Sequence, residues 1–138
     1  MRALVQRVTR ARVSVGGELI AEVGPGLLVL LGVGSGDEEA DAERLAAKVL
    51  NLRVFPDASG QMNEPLGERE ILCVSQFTLY ADTRRGNRPS FIAAARPEQA
   101  EPLYELFCER CSARRGAFGA HMSVDLVNDG PVTLLLET

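Results

Sequence analysis

The chain has 138 residues, 46% of them hydrophobic and 25% charged, and a formal net charge of −4. That length and balance predict one soluble globular domain, residues 1–138, with a core of its own. The chain has no run of about eighteen apolar residues that would span a membrane, and the acidic balance argues mildly against a protein that coats nucleic acid.

The opening Met1-Arg2-Ala3-Leu4-Val5-Gln6-Arg7 turns polar too soon for a signal peptide. Three cysteines, an odd number, do not suggest a secreted disulfide framework. A cytoplasmic protein is expected. Residues 2–8 and 12–15 read as strands, and Gly16-Gly17 offers the positive φ values of a two-residue hairpin turn. Glu18 to Val23 returns as the partner strand, Gly24-Pro25-Gly26 turns the chain, and Leu27 to Val33 is a continuous apolar run that predicts a strand covered on both faces.

From Glu38 to about Leu50, the residues Ala42, Leu45, Ala46 and Val49 recur at helical spacing, with Asp41, Glu43, Arg44 and Lys48 left for solvent. Ser35 and Glu38 have capping-box spacing, and Asp37 is an equal N-cap candidate. Leu52 to Phe55 predicts a short strand, and residues 61–68 read as irregular. Ile71 to Val74 is a buried strand that runs into the polar stretch Ser75-Gln76-Phe77-Thr78-Leu79-Tyr80-Ala81-Asp82. Polar side chains at the end of a buried strand must be satisfied by neighbours or used. An arginine-bearing turn, residues 83–89, follows. A second helix is predicted from Glu98 to about Arg114, stopped by Gly116 and disturbed at Pro102. Met122 to Val127 and Val132 to Glu137 close the chain as two strands separated by Asn-Asp-Gly-Pro.

Many strands and two helices predict an α+β domain: a strongly curved, largely antiparallel, barrel-like sheet with both helices packed on it. Conventional chemistry is scarce. Cys108 and Cys111 form a C-x-x-C inside a helix, a poor place for a zinc or redox pair, and buried inert thiols are expected. His121 is the sole histidine, with no nucleophile elbow to serve. No glycine motif cradles a phosphate, and neither metal nor cofactor is expected. Fourteen of the fifteen basic residues are arginine. The loop Arg84-Arg85-x-x-Arg88 could hold phosphates, although a lone three-arginine loop is usually solvated surface.

Taken together, Met1 to Thr9, Gly26 to Val33, Ser75-Gln76-Phe77-Thr78-Leu79, Arg88-Pro89-Ser90-Phe91 and Asn128-Asp129-Gly130-Pro131-Val132-Thr133 resemble the D-aminoacyl-tRNA deacylases from end to end. The resemblance implies hydrolysis of the ester between a D-amino acid and the 3′ acceptor end of tRNA. It also implies a homodimer with its active site at the subunit interface. It places Ser75, Gln76 and Thr78 on the catalytic strand, with Thr78 orienting substrate or water while the tRNA 2′-hydroxyl assists. Phe77 would lie near the terminal adenosine, and Met62 and Asn63 near the aminoacyl group. A cis Gly130-Pro131 peptide would reach into the neighbouring subunit's pocket, braced by Arg7. Such a main-chain block rejects L side chains without reading their identity, and it cannot reject glycine, so glycyl-tRNA would be cleaved as well.

Three rivals stand beside this reading. One is an editing enzyme of the same fold with a trans Gly-Pro that removes an L-amino acid; the Ser-Gln-Phe-Thr strand argues against it. Another is a non-catalytic dimeric module that binds tRNA ends or adenosine nucleotides. The third is a thiol-based redox protein.

Overall fold

The computed structural model describes all residues, 1–138. Along the chain run β1 (Arg2–Val15), β2 (Glu18–Val23), β3 (Gly26–Gly32), α1 (Glu39–Leu50), β4 (Phe55–Pro56), β5 (Met62–Glu64), β6 (Glu70–Ser75), a 3-10 turn (Phe77–Tyr80), α2 (Pro97–Cys111), β7 (Arg114–Arg115) and β8 (Met122–Glu137). The fold is α+β, as the alternation of strand runs with two helical stripes predicts.

The long β1 organises the main sheet. One of its edges takes β8 along the whole length, antiparallel; β3 pairs with residues 2–8 and β2 with residues 11–15. Beyond β3 the direction changes, because β6 runs parallel to β3 and β7 parallel to β6. The sheet is therefore mixed. A parallel step needs a long crossover, and α1 with the β4–β5 hairpin supplies it between β3 and β6. Val23 of β2 packs with Leu72 and Val74 of β6, strands well separated in the sheet order, so the sheet is rolled towards a barrel.

Two hydrophobic clusters follow from this curvature. The larger, of 23 residues, lies between one face of the sheet and the two helices; Ala3, Val5, Val29, Leu31 and Cys73 meet Leu45, Val49, Leu103 and Phe107 there. The smaller, of seven residues, fills the inside of the roll around Val13, Leu28 and Leu72. The continuous apolar run of β3 serves both, with alternate residues on alternate faces.

Helix α1 buries the stripe its periodicity predicts, Ala42, Leu45, Ala46 and Val49. Its N-cap is Glu38: the Glu38 backbone N–H donates to the Asp41 carboxylate at 2.8 Å, half of a reciprocal capping box. Helix α2 begins with Pro97 in its first turn and carries Pro102 inside. Pro102 is exposed, and the hydrogen bond it omits belongs to the Glu98 carbonyl, one turn back at the helix start. The helix ends at Ser112 in the left-handed conformation, φ 49°, short of Gly116.

Three further expectations change. Residues 9–11 do not interrupt β1, which is continuous. The two closing strands are one strand, β8, with an interruption at Asn-Asp-Gly-Pro: Gln6 faces Thr133 and Val8 faces Asn128, so residues 129–132 bulge out opposite Arg7 alone. The Ser75–Asp82 stretch leaves the sheet after Ser75 and coils into the 3-10 turn.

Candidate active site

The Gln76 N–H donates to the Leu31 carbonyl at 2.7 Å, the last bond β6 makes to β3. Beyond it the chain folds back, with Leu79 N–H on the Gln76 carbonyl at 3.2 Å and Ala81 N–H on Thr78 at 3.1 Å. The turn lies against glycine. A Cβ on Gly34 would stand 2.9 Å from two ring carbons of Tyr80, so a bare backbone at the end of β3 lets the turn sit down.

Polar contacts pin the same turn from β1. Arg2 Nη1 donates to the Leu79 carbonyl at 2.7 Å, and its guanidinium lies 4.5 Å over the Tyr80 ring. The Tyr80 hydroxyl donates to Asp37 at 3.4 Å, while Asp37 also accepts from the Gly34 N–H and the Met1 amino group. Burial, then the Asp37 charge, pushes the Tyr80 phenol up to about 12, so it remains a donor.

What the turn displays is chemical. Gln76 Nε2 donates to Thr78 Oγ1, and Thr78 is exposed. Phe77, 58% exposed, meets Phe91 edge to face with ring centres 5.1 Å apart and planes at 70°. Ser75, Phe77, Phe91, Ala95, Ala100 and Phe118 are among the residues lining a mostly apolar cavity of about 460 Å³. Small side chains make the space, aromatic ones its walls, and Ser75 is the motif's polar group at its edge. That is the common make-up of a small-ligand site.

The second motif is held from the far side of β1. Arg7 Nε donates to the Asp129 carbonyl at 3.1 Å and stands 3.3 Å from the Asp129 carboxylate; Nη1 donates to the Val54 carbonyl. Asn128 Nδ2 closes the base of the bulge on the carbonyls of Arg7 (2.9 Å) and Val132 (3.1 Å). Gly130 takes φ +94°, and a Cβ there would fall 2.0 Å from Arg7 Nη2. The Gly130–Pro131 peptide is trans, since the chain contains no cis peptide bond. The cis form implied by resemblance is therefore corrected: trans is the favoured isomer of X–Pro bonds by about 0.5–1 kcal/mol, and Gly130 makes the bend by its own φ.

Met62 and Asn63 lie on β5. Asn63 is held by Arg53, whose Nε donates to its carbonyl at 2.9 Å, and Met62 is 56% exposed. Through the β4–β5 pair they neighbour Val54, and so belong to the Arg7 end of the molecule. The three thiols are free and buried. His121 is exposed and on neither motif.

Within one chain the two motifs do not meet. Ser75 is level with Ala3 on β1 through Leu31, whereas the bulge is level with Arg7. Four residues along the strand and three strand spacings across put them on the order of 20 Å apart over the sheet.

Several site residues carried no sequence signal that was used. Arg2, Asp37 and Tyr80 anchor the turn, and Ala95, Ala100 and Phe118 shape the cavity. The closely spaced Gly32 and Gly34 are the sequence's sign of this close approach.

Comparison with known proteins identifies the family and the fold. The sequence profile described as D-Tyr-tRNA(Tyr) deacylase matches residues 4–137. D-aminoacyl-tRNA deacylases of Symbiobacterium thermophilum and Myxococcus xanthus are 57% and 55% identical, covering 100% of this chain and 96% and 95% of theirs. A solved structure titled c-Myc DNA Unwinding Element Binding Protein superposes with a TM-score of 0.94 at 47% identity, covering 100% of this chain and 99% of that one. A probable eukaryotic D-amino acid tRNA deacylase, 16% identical, covers 98% and 97% with a TM-score of 0.84 and shares the fold.

The profile match spans the rolled sheet, both helices, the polar turn and the Gly-Pro bulge, and its class is that of the deacylases. The chain belongs to the D-Tyr-tRNA(Tyr) deacylase family, and it is an enzyme, a hydrolase.

Proposed function

We propose that this protein hydrolyses the ester of D-aminoacyl-tRNA at the 3′ terminal adenosine, releasing free D-amino acid and tRNA in the cytoplasm. The observation that carries the finer mechanism is the separation of the two motifs in one chain. A pocket containing both requires two copies, the Gly130-Pro131 bulge of one facing the Ser75–Thr78 turn of the other. The surface between the motifs suits such a pairing. On β1 and β8, Leu135 is 54% exposed beside half-buried Leu4. Apolar surface of this kind marks association faces when rimmed by polar groups, and Gln6, Thr133, Arg2 and Glu137 supply the rim. Isologous pairing would generate two equivalent sites.

In that pocket, selectivity comes from main chain. D- and L-aminoacyl groups carry the same atoms, so sorting must act at the α-carbon. The bulge, braced by Arg7 and Asn128, fills the direction an L side chain would take. Because Gly130–Pro131 is trans, removal of an L-amino acid by an editing enzyme of the same fold is the second reading, and the L-tyrosyl ester separates the two. Glycine passes, and glycyl-tRNA is hydrolysed. Phe77 and Phe91 receive the adenine, Met62 and Asn63 border the aminoacyl group, and Ser75, Gln76 and Thr78 orient the carbonyl or the attacking water. The Gln76 amide donates to the Thr78 hydroxyl, so that oxygen lacks the neighbouring base that a nucleophile requires. The 2′-hydroxyl of the tRNA assists the attack instead.

The test is deacylation of D-tyrosyl-, L-tyrosyl- and glycyl-tRNA in parallel. Loss of the D and glycyl esters with the L ester intact supports the reading. Binding of all three without hydrolysis would leave a nucleic-acid-end module, the reading favoured by the exposed Phe77–Phe91 pair alone. The two-copy site has its own test: mixing an inactive Gln76→Ala/Thr78→Ala variant with an inactive Gly130→Ala variant should restore up to about a quarter of wild-type activity, since half the dimers then hold one intact site.

A further inference from the structure

After the 3-10 turn, the chain makes a closed loop. Asp82 and Ser90 exchange backbone hydrogen bonds at 2.8 and 2.9 Å, so residues 83–89 are tied at the neck and turn at Gly86. Phe91 follows directly, which makes the loop and the Phe77–Phe91 pair one mechanical unit. Inside the neck, Asp82, Arg84, Arg85, Arg88 and Ser90 line a hollow of about 460 Å³ without a single apolar side chain.

The charges in this hollow do not cancel. Asp82 is spent on Arg84: it accepts from Arg84 Nε at 2.9 Å, Nη2 at 2.7 Å and the backbone N–H at 3.0 Å, and these bonds hold its carboxyl down to about 2. Arg85 and Arg88 have no carboxylate and no hydrogen bond. Elsewhere the arginines are occupied, nine of the fourteen in ion pairs and others on carbonyls. Only Arg10 shares the condition of Arg85 and Arg88. A protein with net charge −4 thus keeps two of its three unpartnered arginines together, beside its most open aromatic pair. Cations next to exposed aromatic rings are the signature of a surface that tracks a single-stranded nucleic-acid backbone while its bases stack.

We propose that Arg85 and Arg88 clamp the phosphates just 5′ of the terminal nucleotide of the acceptor strand, while the base beyond them lies against Phe77 and Phe91. This rests on the deacylase reading and adds to it the site's grip on the polynucleotide, independent of the amino acid. Arg84, tied to Asp82, shapes the loop. Because the contact is exposed and electrostatic, it contributes to capture and is weakened by salt.

The experiment compares wild type with Arg85→Ala/Arg88→Ala and, as a control for general charge, Arg10→Ala. KM and kcat for D-tyrosyl-tRNA and for the D-tyrosyl ester of adenosine, which has no phosphate, are measured between about 50 and 200 mM salt. Binding of uncharged tRNA is followed by fluorescence anisotropy. The double variant should raise KM for the tRNA ester about tenfold at low salt, with kcat within about twofold, and lower the salt slope by roughly one to two. The preference for tRNA ester over adenosine ester should shrink by the same factor. Arg10→Ala should keep the wild-type slope. Equal salt slopes in wild type and double variant would overturn the clamp, as would an equal loss in Arg10→Ala or an equal loss on the adenosine ester. If wild type hydrolyses neither ester, the deacylase reading falls; the anisotropy slopes still decide the clamp.

Discussion

Arg7 Nε reaches the Asp129 carbonyl at 3.1 Å across the first of the two places where β1 and β8 fall out of step. The same guanidinium serves the Val54 carbonyl, and only 12% of the side chain is exposed. One arginine therefore ties β1, the bulge and the segment before β4 together. By strand alternation it points to the helix side of the sheet with Ala3 and Val5.

Arg7→Ala strands two carbonyls and the Asp129 carboxylate at once. Hydrogen bonds from charged groups contribute about 1.5–3 kcal/mol each, so urea unfolding should show a loss of about 2–4 kcal/mol. Discrimination between D- and L-tyrosyl-tRNA should fall further than turnover does. A variant with unchanged discrimination would mean that the bulge holds its shape without the brace.

Gly130→Ala meets two obstacles. Its φ of +94° is strained for any L side chain, and the new Cβ would fall 2.0 Å from Arg7 Nη2. That atom ends a flexible side chain, yet the chain is fixed by its bonds to Asp129 and Val54. The expected cost is roughly 1–3 kcal/mol, visible as a lowered Tm, with loss of deacylation. Normal activity would remove the bulge from the site.

Tyr104→Phe is a test of the core behind the cavity. The buried Tyr104 hydroxyl donates to the Cys73 carbonyl at 2.9 Å, two residues before Ser75. Removing it leaves that carbonyl with the Gly116 N–H at 3.0 Å, and should cost about 0.5–1.5 kcal/mol with little change in KM.

Stability should fall on the alkaline side. Burial pushes the Cys111 thiol up to about 12 from an ordinary 9.0, and Tyr80 up to about 12 from 10.0. Raised values mean that the unfolded chain gives up these protons first. Between pH 9 and 12 the unfolded state therefore holds fewer of them, and stability drops as pH rises. Lys48 is the only lysine and is in no ion pair, and arginines keep their charge in this range, so the arginine–carboxylate pairs persist. Urea midpoints measured from pH 8 upward should be flat at first and then decline; a flat profile to pH 12 would contradict the burial of these groups.

Helix α1 was legible because four small or aliphatic residues at helical spacing faced one core, and periodicity reports that condition directly. The rolled sheet was legible in outline from strand runs and from Gly16-Gly17. Its parallel half was not, since the direction of β6 depends on a crossover whose only local mark is α1. The Ser75–Asp82 stretch was misread as extended because Phe77, Leu79 and Tyr80 look like strand residues. What overrides them is tertiary: Gln76 makes the last bond to β3, and glycine at the strand end gives the turn a seat. The end of α2 was missed because Ser112, not a glycine, adopts the left-handed conformation. Of the motif, Ser75 and Phe77 line the cavity, while Gln76 and Thr78 bond to each other on the turn beside it. Arg7 does brace the Gly130 loop. The cavity could not be read from sequence, since it is made by alanines from segments that only the fold brings together.

The pairing of β1 with β8 has a consequence for how the molecule comes into being. Arg2 lies opposite Glu137, so the first strand finds its longest partner at the other end of the sequence. During synthesis that edge of β1 stays open until β8 has emerged. Contacts so far apart in sequence slow folding, and an open strand edge invites pairing with other chains. The nascent protein is thus most exposed to misassembly just before its final strand arrives, and the Gly-Pro bulge is among the last features to form.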